Sequence, residues 1–329
     1  MTQKLRAAVI GVGYLGRFHA QKYAAIDAVE LIGVADPQLE TAQAVAAELG
    51  NVAAVADYRE LLGRVDLVSV ASTTASHYAI ARECLAAGVH VLVEKPITVT
   101  VAEADELIAL AETHRCVLQV GHLERFNPAW LAVRERITRP VFIEAHRMAP
   151  FKARGIDVSV VLDLMIHDLD LVLPLVQSPI VDLRAAGVSV LTDGVDIANA
   201  RIEFANGCVA NLTASRTSTD SLRRLRVFQH RDYISIDFGQ RRIGASKKRD
   251  ELTQGESPPS YPSPLFTETY QTPPGDALMT EIVSFVEAVR TGRPPVVGGR
   301  AGREALAVAL DIDRMIAARQ NSLLNNDLL

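Results

Sequence analysis

The chain has 329 residues, of which 49% are hydrophobic, 22% charged and only 5% aromatic, and it carries a formal net charge of -5. That length allows one or two domains around an aliphatic core. The acidic balance argues against nucleic acid as a partner, while leaving room for a local basic pocket that holds a phosphate. Cys84, Cys116 and Cys208 stand far apart with no CxxC or zinc spacing. They read as reduced thiols of a cytoplasmic protein, with no disulfide framework and no metal site.

The N-terminus MTQKLRAAVIGVGYLG sets an apolar run behind Lys4 and Arg6, but glycines break the run at once. That pattern fits a buried strand better than a signal peptide. The most apolar long stretch, Val158 to Val176, carries Asp163, His167, Asp168 and Asp170, too many polar groups for a membrane span. No membrane or targeting segment is expected.

Short apolar runs alternate with helical patterns through the first third. Strands are predicted at Arg6–Ile10, Glu30–Ala35, Leu67–Ala71, His90–Glu94 and Val117–Gly121. Helices are predicted at Leu15–Ile26, Leu39–Leu49, His77–Ala87 and Val101–His114. Such alternation implies parallel pairing through right-handed crossovers, hence a doubly wound Rossmann sheet over residues 1–125. Beyond it the pattern changes. Val141–Met148 reads as a long strand, Val158–Val176 as a helix, and Val181 to Ser246 as a series of strands. Asp196–Phe204 and Cys208–Arg216 meet across Ala-Asn-Gly, and Arg223–Gln229 and Tyr233–Phe238 across His-Arg-Asp, as hairpins. The Pro-, Ser-, Thr- and Gly-rich segment Gln254–Gly275 reads as a long loop or arm. Helices over Ala277–Thr291 and Gly302–Arg319 close the chain. The fold class expected is α/β, the Rossmann domain followed at residues 126–329 by an α+β domain with a mostly antiparallel open sheet.

Gly11-Val12-Gly13-Tyr14-Leu15-Gly16 follows the first strand and opens the first helix, the context a GxGxxG fingerprint needs. Gly11 permits a tight turn, Gly13 lets a pyrophosphate approach the backbone at Tyr14 and Leu15, and Gly16 lets helix and strand pack closely. The helix end then offers its N–H groups to the phosphates. Asp36 ends the second strand, twenty residues after Gly16. A carboxylate there accepts hydrogen bonds from the ribose hydroxyls and repels a 2′-phosphate, which favours NAD over NADP. Asp36 before Pro37 is also a turn former.

Glu94-Lys95-Pro96, directly after a strand in such a chain, resembles the glucose–fructose oxidoreductase / inositol dehydrogenase (Gfo/Idh/MocA) family along the whole sequence. The resemblance implies that Lys95 lies near the nicotinamide and the reacting hydroxyl and that Pro96 shapes the turn, often with a cis peptide. The family's second signature is an aspartate and a histidine four residues apart, here Asp163 and His167 in VLDLMIHDLDL, with Val160 and Val161 where the family commonly has glycines. On one helix, that spacing puts both on one face. His167 is then an acid/base candidate and Asp163 orients substrate, Lys95 and His167 both remaining open as the base. Thr73, Thr74 and His77 follow the strand before them and line the nicotinamide pocket or simply open a helix. Glu124, Arg125 and Asn127, in Gly121–Pro128, are sugar-binding candidates, with Asn127 equally suited to cap a helix.

Within the family, residues 121–128, 163–168, 196–201 and 211–216 are similar to members that oxidise C3 of UDP-N-acetylglucosamine. This implies a nucleotide-sugar substrate, NAD as cofactor, a homodimer or homotetramer, and a PLP-dependent aminotransferase as functional partner in the making of lipid A amino sugar. Arg147, Arg154, Arg216, Arg223 and Arg224 are available to clamp a diphosphate, Arg154 foremost, or serve as solvated strand residues. Another sugar or inositol as substrate, or a non-catalytic NAD-binding regulator, fits the same fold.

Overall fold

A computed structural model describes residues 3–50, 52–151, 158–248 and 265–325. The chain divides into two compact units, Met1–Phe126 with Asp276–Ala307, and Asn127–Gly275 with Val308–Leu329.

The first unit is built on six parallel strands: β1 (Leu5–Ile10), β2 (Val29–Ala35), β3 (Ala53–Val55), β4 (Leu67–Val70), β5 (His90–Glu94) and β6 (Leu118–Gly121), in the order β3-β2-β1-β4-β5-β6. The helices α1 (Tyr14–Ala24), α2 (Leu39–Glu48), α3 (Thr74–Ala86) and α4 (Val101–His114) alternate with them. All four residues of β4 are buried, as expected of a parallel strand covered on both faces. The strand order turns back between β1 and β4, and ligands of open α/β sheets bind outside the carboxyl ends of strands at such a switch point. The doubly wound parallel sheet expected from the alternation is therefore present. β3, with three residues, is too short to leave a periodic signal.

The second unit opens with α5 (Pro128–Val133) and holds an eight-stranded sheet. Its strands are β7 (Pro140–Met148), β8 (Ile180–Val188), β9 (Ile197–Phe204), β10 (Val209–Ser215), β11 (Leu222–Gln229), β12 (Asp232–Asp237), β13 (Arg242–Lys248) and β14 (Leu265–Gln271), in the order β14-β13-β12-β11-β7-β10-β9-β8. Only β7 and β10 run parallel; every other neighbouring pair is antiparallel. Both expected hairpins form, β9–β10 and β11–β12. The segment read as a loop, Gln254–Gly275, contains β14, which pairs with β13 from Leu265↔Lys248 to Gln271↔Arg242. The β-branched and aromatic alternation of Thr267–Tyr270 wins there over the flanking prolines. The helix expected over Val158–Val176 is also not uniform: a π-helical turn, Val161–Met165, leads into α6 (Ile166–Val176).

After β14 the chain returns to the first unit as α7 (Ala277–Thr291), and α8 (Gly299–Asn325) runs on from that unit into the second. Asp276 caps α7, its carboxylate accepting from Met279 N–H at 2.9 Å, and Lys22 Nζ lies 2.6 Å from the same carboxylate. The apolar face of α7, with Ile282 and Phe285 fully buried, packs into one core with Ala20 and Tyr23 of α1 and with Val9 and Val34 of the sheet. Among the described residues, no helix is long and apolar enough to cross a membrane. Cys84, Cys116 and Cys208 are free, and burial pushes the Cys84 thiol up to about 12, leaving it without a reactive thiolate.

Phe285→Ala should cost roughly 3–5 kcal/mol of stability, read as a lower denaturant midpoint, with faster amide exchange in β1 and β2. Unchanged exchange in those strands would mean that α7 is not part of their core.

Candidate active site

The loop after β1 is shaped by what it excludes. Gly11 adopts φ +81°, and a Cβ there would come within 2.6 Å of the Ser72 backbone after β4. A Cβ on Gly16 would land on the Gly11 carbonyl oxygen, whereas one on Gly13 would meet nothing. The loop is thus held from two sides and open at Gly13, where no side chain caps α1. The first turn of the helix is left to an anion. Asp36 stands at the end of β2 with one carboxylate oxygen accepting from Val12 N–H at 3.0 Å and the other from Gln38 N–H at 3.0 Å. Each oxygen keeps a further acceptor site for a hydroxyl. A cleft of about 660 Å³ runs past Gly11, Gly13, Asp36, Ser72 and Thr73 to Tyr58. The cation lining it, Arg59, is held in a fork by Glu83, at 2.8 Å on both arms. Glycine cradle, uncapped helix end and carboxylate together fit a dinucleotide without a 2′-phosphate. Tyr14, 69% exposed, packs its ring edge-on against Phe18 beside half-exposed Leu15.

At the end of β5, Glu94 is buried. One of its oxygens receives the His19 ring nitrogen Nε2 at 3.1 Å, and the other accepts from Lys95 N–H at 3.2 Å. Burial pushes this carboxyl up, but the His19 hydrogen bond and the neighbouring Lys95 charge outweigh it and hold it below its ordinary value. Lys95 is half-buried, and its peptide bond to Pro96 is cis. His77 is buried rather than open to the cleft; Nδ1 lies 2.8 Å from the Pro96 carbonyl and Nε2 3.2 Å from that of Ser72. It braces the loops that follow β4 and β5. Thr73, the residue preceding α3, is exposed to the cleft, and Thr74 opens the helix. Glu124 and Arg125 sit on a short 3-10 turn, Leu123–Phe126, after β6; Glu124 is buried and Arg125 half-buried.

In the second unit, Asn127 caps α5. Its side-chain oxygen accepts from Ala129 N–H at 3.0 Å, and its amide donates to the Phe238 carbonyl at 3.4 Å. Asp163 lies on the π-helical turn and His167 in the first turn of α6. Both are half-exposed between the buried residues Val161, Met165, Ile166 and Asp168. Val160 and Val161, both fully buried, pack this turn into the core. π turns are frequent at functional sites. Arg147 on β7 grips Asp168, next to His167, through Nε at 3.1 Å and Nη2 at 2.8 Å, and both side chains are buried. Arg147 is therefore committed to the fold. Arg216 donates to the Val158 carbonyl at 2.6 Å, and Arg224 lies 3.6 Å from Asp237. Arg154 lies outside the described residues. Sequence reasoning missed His19, Ser69 and Tyr23 around Glu94, and the Arg147–Asp168 pair. A polar residue on the buried face of a helix is the one signal that pointed to His19.

A family model described as "Oxidoreductase family, NAD-binding Rossmann fold" matches residues 5–122, and the matching C-terminal domain model covers residues 134–234. A UDP-N-acetylglucosamine 3-dehydrogenase of Acidithiobacillus ferrooxidans is 43% identical, over 94% of this chain and 96% of its own. The chain belongs to the Gfo/Idh/MocA oxidoreductase family. The solved structure of that relative superposes with a TM-score of 0.87 at 42% identity, covering 96% of this chain and 98% of the other. Myo-inositol 2-dehydrogenase of Thermotoga maritima is 27% identical over 92% of this chain and 93% of its own. A levoglucosan dehydrogenase solved with NADH, 19% identical, shares the fold at a TM-score of 0.84 over 96% and 98% of the two chains. This Gfo/Idh/MocA chain is an NAD-dependent dehydrogenase, and the cleft at the switch point has the form its cofactor requires.

Burial pushes the His77 pKa down, against the pull of the Pro96 and Ser72 carbonyls. The unfolded chain then takes up a proton, as pH falls through the ordinary histidine range, that the folded chain does not. The His77 contribution is present above that range and lost below it. Denaturant titrations between about pH 8 and about pH 5 should show stability falling, and His77→Gln should flatten the slope. An equal slope in the variant would assign the dependence to other groups.

Proposed function

We propose that this enzyme is a sugar dehydrogenase that oxidises the C3 hydroxyl of UDP-N-acetylglucosamine with NAD⁺. The resulting 3-keto sugar is the substrate of a PLP-dependent aminotransferase, on the way to the 3-amino sugar of lipid A. The observation that carries the reading is 43% identity over nearly the full length of both chains to a UDP-N-acetylglucosamine 3-dehydrogenase. It is supported by Lys95 after β5 and by Asp163 and His167, the half-exposed pair ahead of and within the first turn of α6.

NAD⁺, when bound, supplies the hydride acceptor. Gly11, Gly13 and Gly16, with the first turn of α1 at Tyr14 and Leu15, hold the pyrophosphate. Asp36 accepts the ribose hydroxyls, and its charge opposes a 2′-phosphate. Thr73, His77 and the Glu94-Lys95-Pro96 turn shape the nicotinamide end, His77 through the carbonyls it braces. Lys95 and His167 take the proton of the C3 hydroxyl, one as base and the other sharing it, while Asp163 orients the sugar. Glu124, Arg125, Asn127 and Arg154 complete the substrate contacts. The diphosphate gives binding energy remote from C3, which positions the reacting hydroxyl. We assign the chain to a homodimer or homotetramer, a reading supported by Val181 and Val188, 63% and 57% exposed on edge strand β8.

Three outcomes are expected. First, UDP-N-acetylglucosamine with NAD⁺, coupled to an aminotransferase and an amino donor, yields a 3-amino product by mass spectrometry, and free N-acetylglucosamine yields far less. Oxidation of myo-inositol with none of the nucleotide sugar would overturn the substrate. Second, Lys95→Met and His167→Ala each lose turnover by roughly 10²–10⁴ while NAD binding persists; near-normal turnover in both would move the chemistry elsewhere. Third, Asp36→Ala weakens NAD binding and narrows the preference over NADP. Equal use of both cofactors by the intact enzyme would remove the role given to Asp36.

A further inference from the structure

α1 carries two polar side chains on its buried face, His19 and Tyr23, both at 0% exposure. They meet a third buried group, Ser69 of β4. The Tyr23 hydroxyl lies 2.9 Å from Ser69 Oγ, Ser69 Oγ lies 3.1 Å from His19 Nδ1, and His19 Nε2 lies 3.1 Å from Glu94 Oε1. The other oxygen of Glu94 accepts the backbone N–H of Lys95 at 3.2 Å. Four side chains from α1, β4 and β5 thus form one hydrogen-bonded row ending at the main chain of Lys95. Packing alone does not account for this row. Burying polar groups costs free energy that an apolar helix face would avoid.

The row has a direction. Burial raises the pKa of the Tyr23 phenol, so the phenol keeps its proton, with Ser69 Oγ 2.9 Å away to accept it. Ser69 then gives its own hydroxyl hydrogen to His19 Nδ1, which must accept. The ring proton is thereby placed on Nε2, from which it is donated to Glu94. A neutral ring with its proton on Nδ1 would instead set the Nε2 lone pair against the Glu94 carboxylate, two acceptors 3.1 Å apart. With one oxygen held by His19, the Glu94 carboxylate has a fixed plane, and its second oxygen fixes the Lys95 amide. The carboxylate fills the space that a side chain at Gly121 of β6 would take, since a Cβ there would come within 2.7 Å of Glu94 Oε1.

We propose that His19 and Glu94 are positioning residues for Lys95, with Tyr23 and Ser69 setting the tautomer that lets His19 hold Glu94. The inference rests on the reading of Lys95 as an acid/base group. The contact runs to the Lys95 main chain, so the row sets where the side chain starts and does not carry its proton. A reacting group displaced by about 1 Å loses on the order of a hundredfold in rate, and a turn at a strand end is free to shift by that much unless something holds it.

Rates are read with whichever of UDP-N-acetylglucosamine and myo-inositol the intact enzyme oxidises. His19→Ala should lower kcat by about ten- to a hundredfold, with NAD affinity changed by less than about threefold. His19→Gln, whose amide N–H reaches toward Glu94, should recover most of the loss. In a Lys95→Met background the same His19→Ala change should alter kcat by less than about twofold, because residues acting through one group are not additive. Full kcat in His19→Ala, or losses that multiply in the double variant, would overturn the proposal while leaving Lys95 in place. Normal kcat in Lys95→Met would instead remove the reading beneath it. Two measurements need no substrate. Nitrogen-15 NMR of the imidazole should report a proton on Nε2 of His19 in the intact enzyme, and the Nδ1–H form in its place would overturn the direction of the row. Amide exchange at Lys95 should quicken in His19→Ala and in Tyr23→Phe, while that of Ala8 in β1 holds; equal exchange at Lys95 in all three proteins would show that the row does not hold the turn.

Discussion

The absence of a side chain at Gly16 is the constraint from which the first unit follows. With the Gly11 carbonyl where a Cβ would be, α1 lies as close to the end of β1 as a helix can. That contact fixes both ends of the helix's work. Its first turn is presented to the mouth of the cleft, and one and two turns later His19 and Tyr23 are delivered to Ser69 and Glu94 inside. The same helix thus opens at the glycine loop and reaches Glu94, the residue before Lys95. Interiors packed at crystal density transmit small displacements instead of absorbing them.

The second unit secures its acid/base candidate by a different means. Arg147 and Asp168 are a forked ion pair with both side chains about 4% exposed. Such a pair contributes little net stability, since desolvation offsets its attraction, but breaking it is costly because one charge is left buried alone. The pair therefore acts as a latch more than as a source of stability. It ties the first turn of α6 to β7, one residue from His167. Ser159 adds a second tie: its hydroxyl donates to Asp313 of α8 at 2.6 Å and accepts from Leu162 N–H at 3.1 Å.

The local elements were legible where period and punctuation agreed. β5, α4 and α7 fall on the residues read for them, and the GxGxxG and Glu-Lys-Pro motifs stand at strand ends. What failed to show in the sequence shares a cause: it depends on partners distant along the chain. β14 was hidden by the prolines around it, and only β13 decides its state. The π turn adds one residue to a helical repeat that still reads as helical. The return of α7 to the first unit has no local signature, since an amphipathic face does not name its partner. His19 went unread, because the carboxylate that gives it a role lies 75 residues away. Asn127 was legible as a cap, because the following proline and its short polar side chain are both local facts.

The route of the chain has a bearing on biosynthesis. The core beneath α1 is closed by Ile282 and Phe285, which leave the ribosome only after the whole of β7–β14 has been made. During translation, the parallel sheet carries an open apolar face for the time needed to add some 150 residues, on the order of ten to thirty seconds at usual elongation rates. Exposed sheet of this kind is what chaperones bind and what aggregates when they are scarce. The nascent chain is thus most vulnerable not at its start but between the synthesis of β6 and that of α7, and synonymous changes that slow elongation across that window would act on yield without altering the finished enzyme.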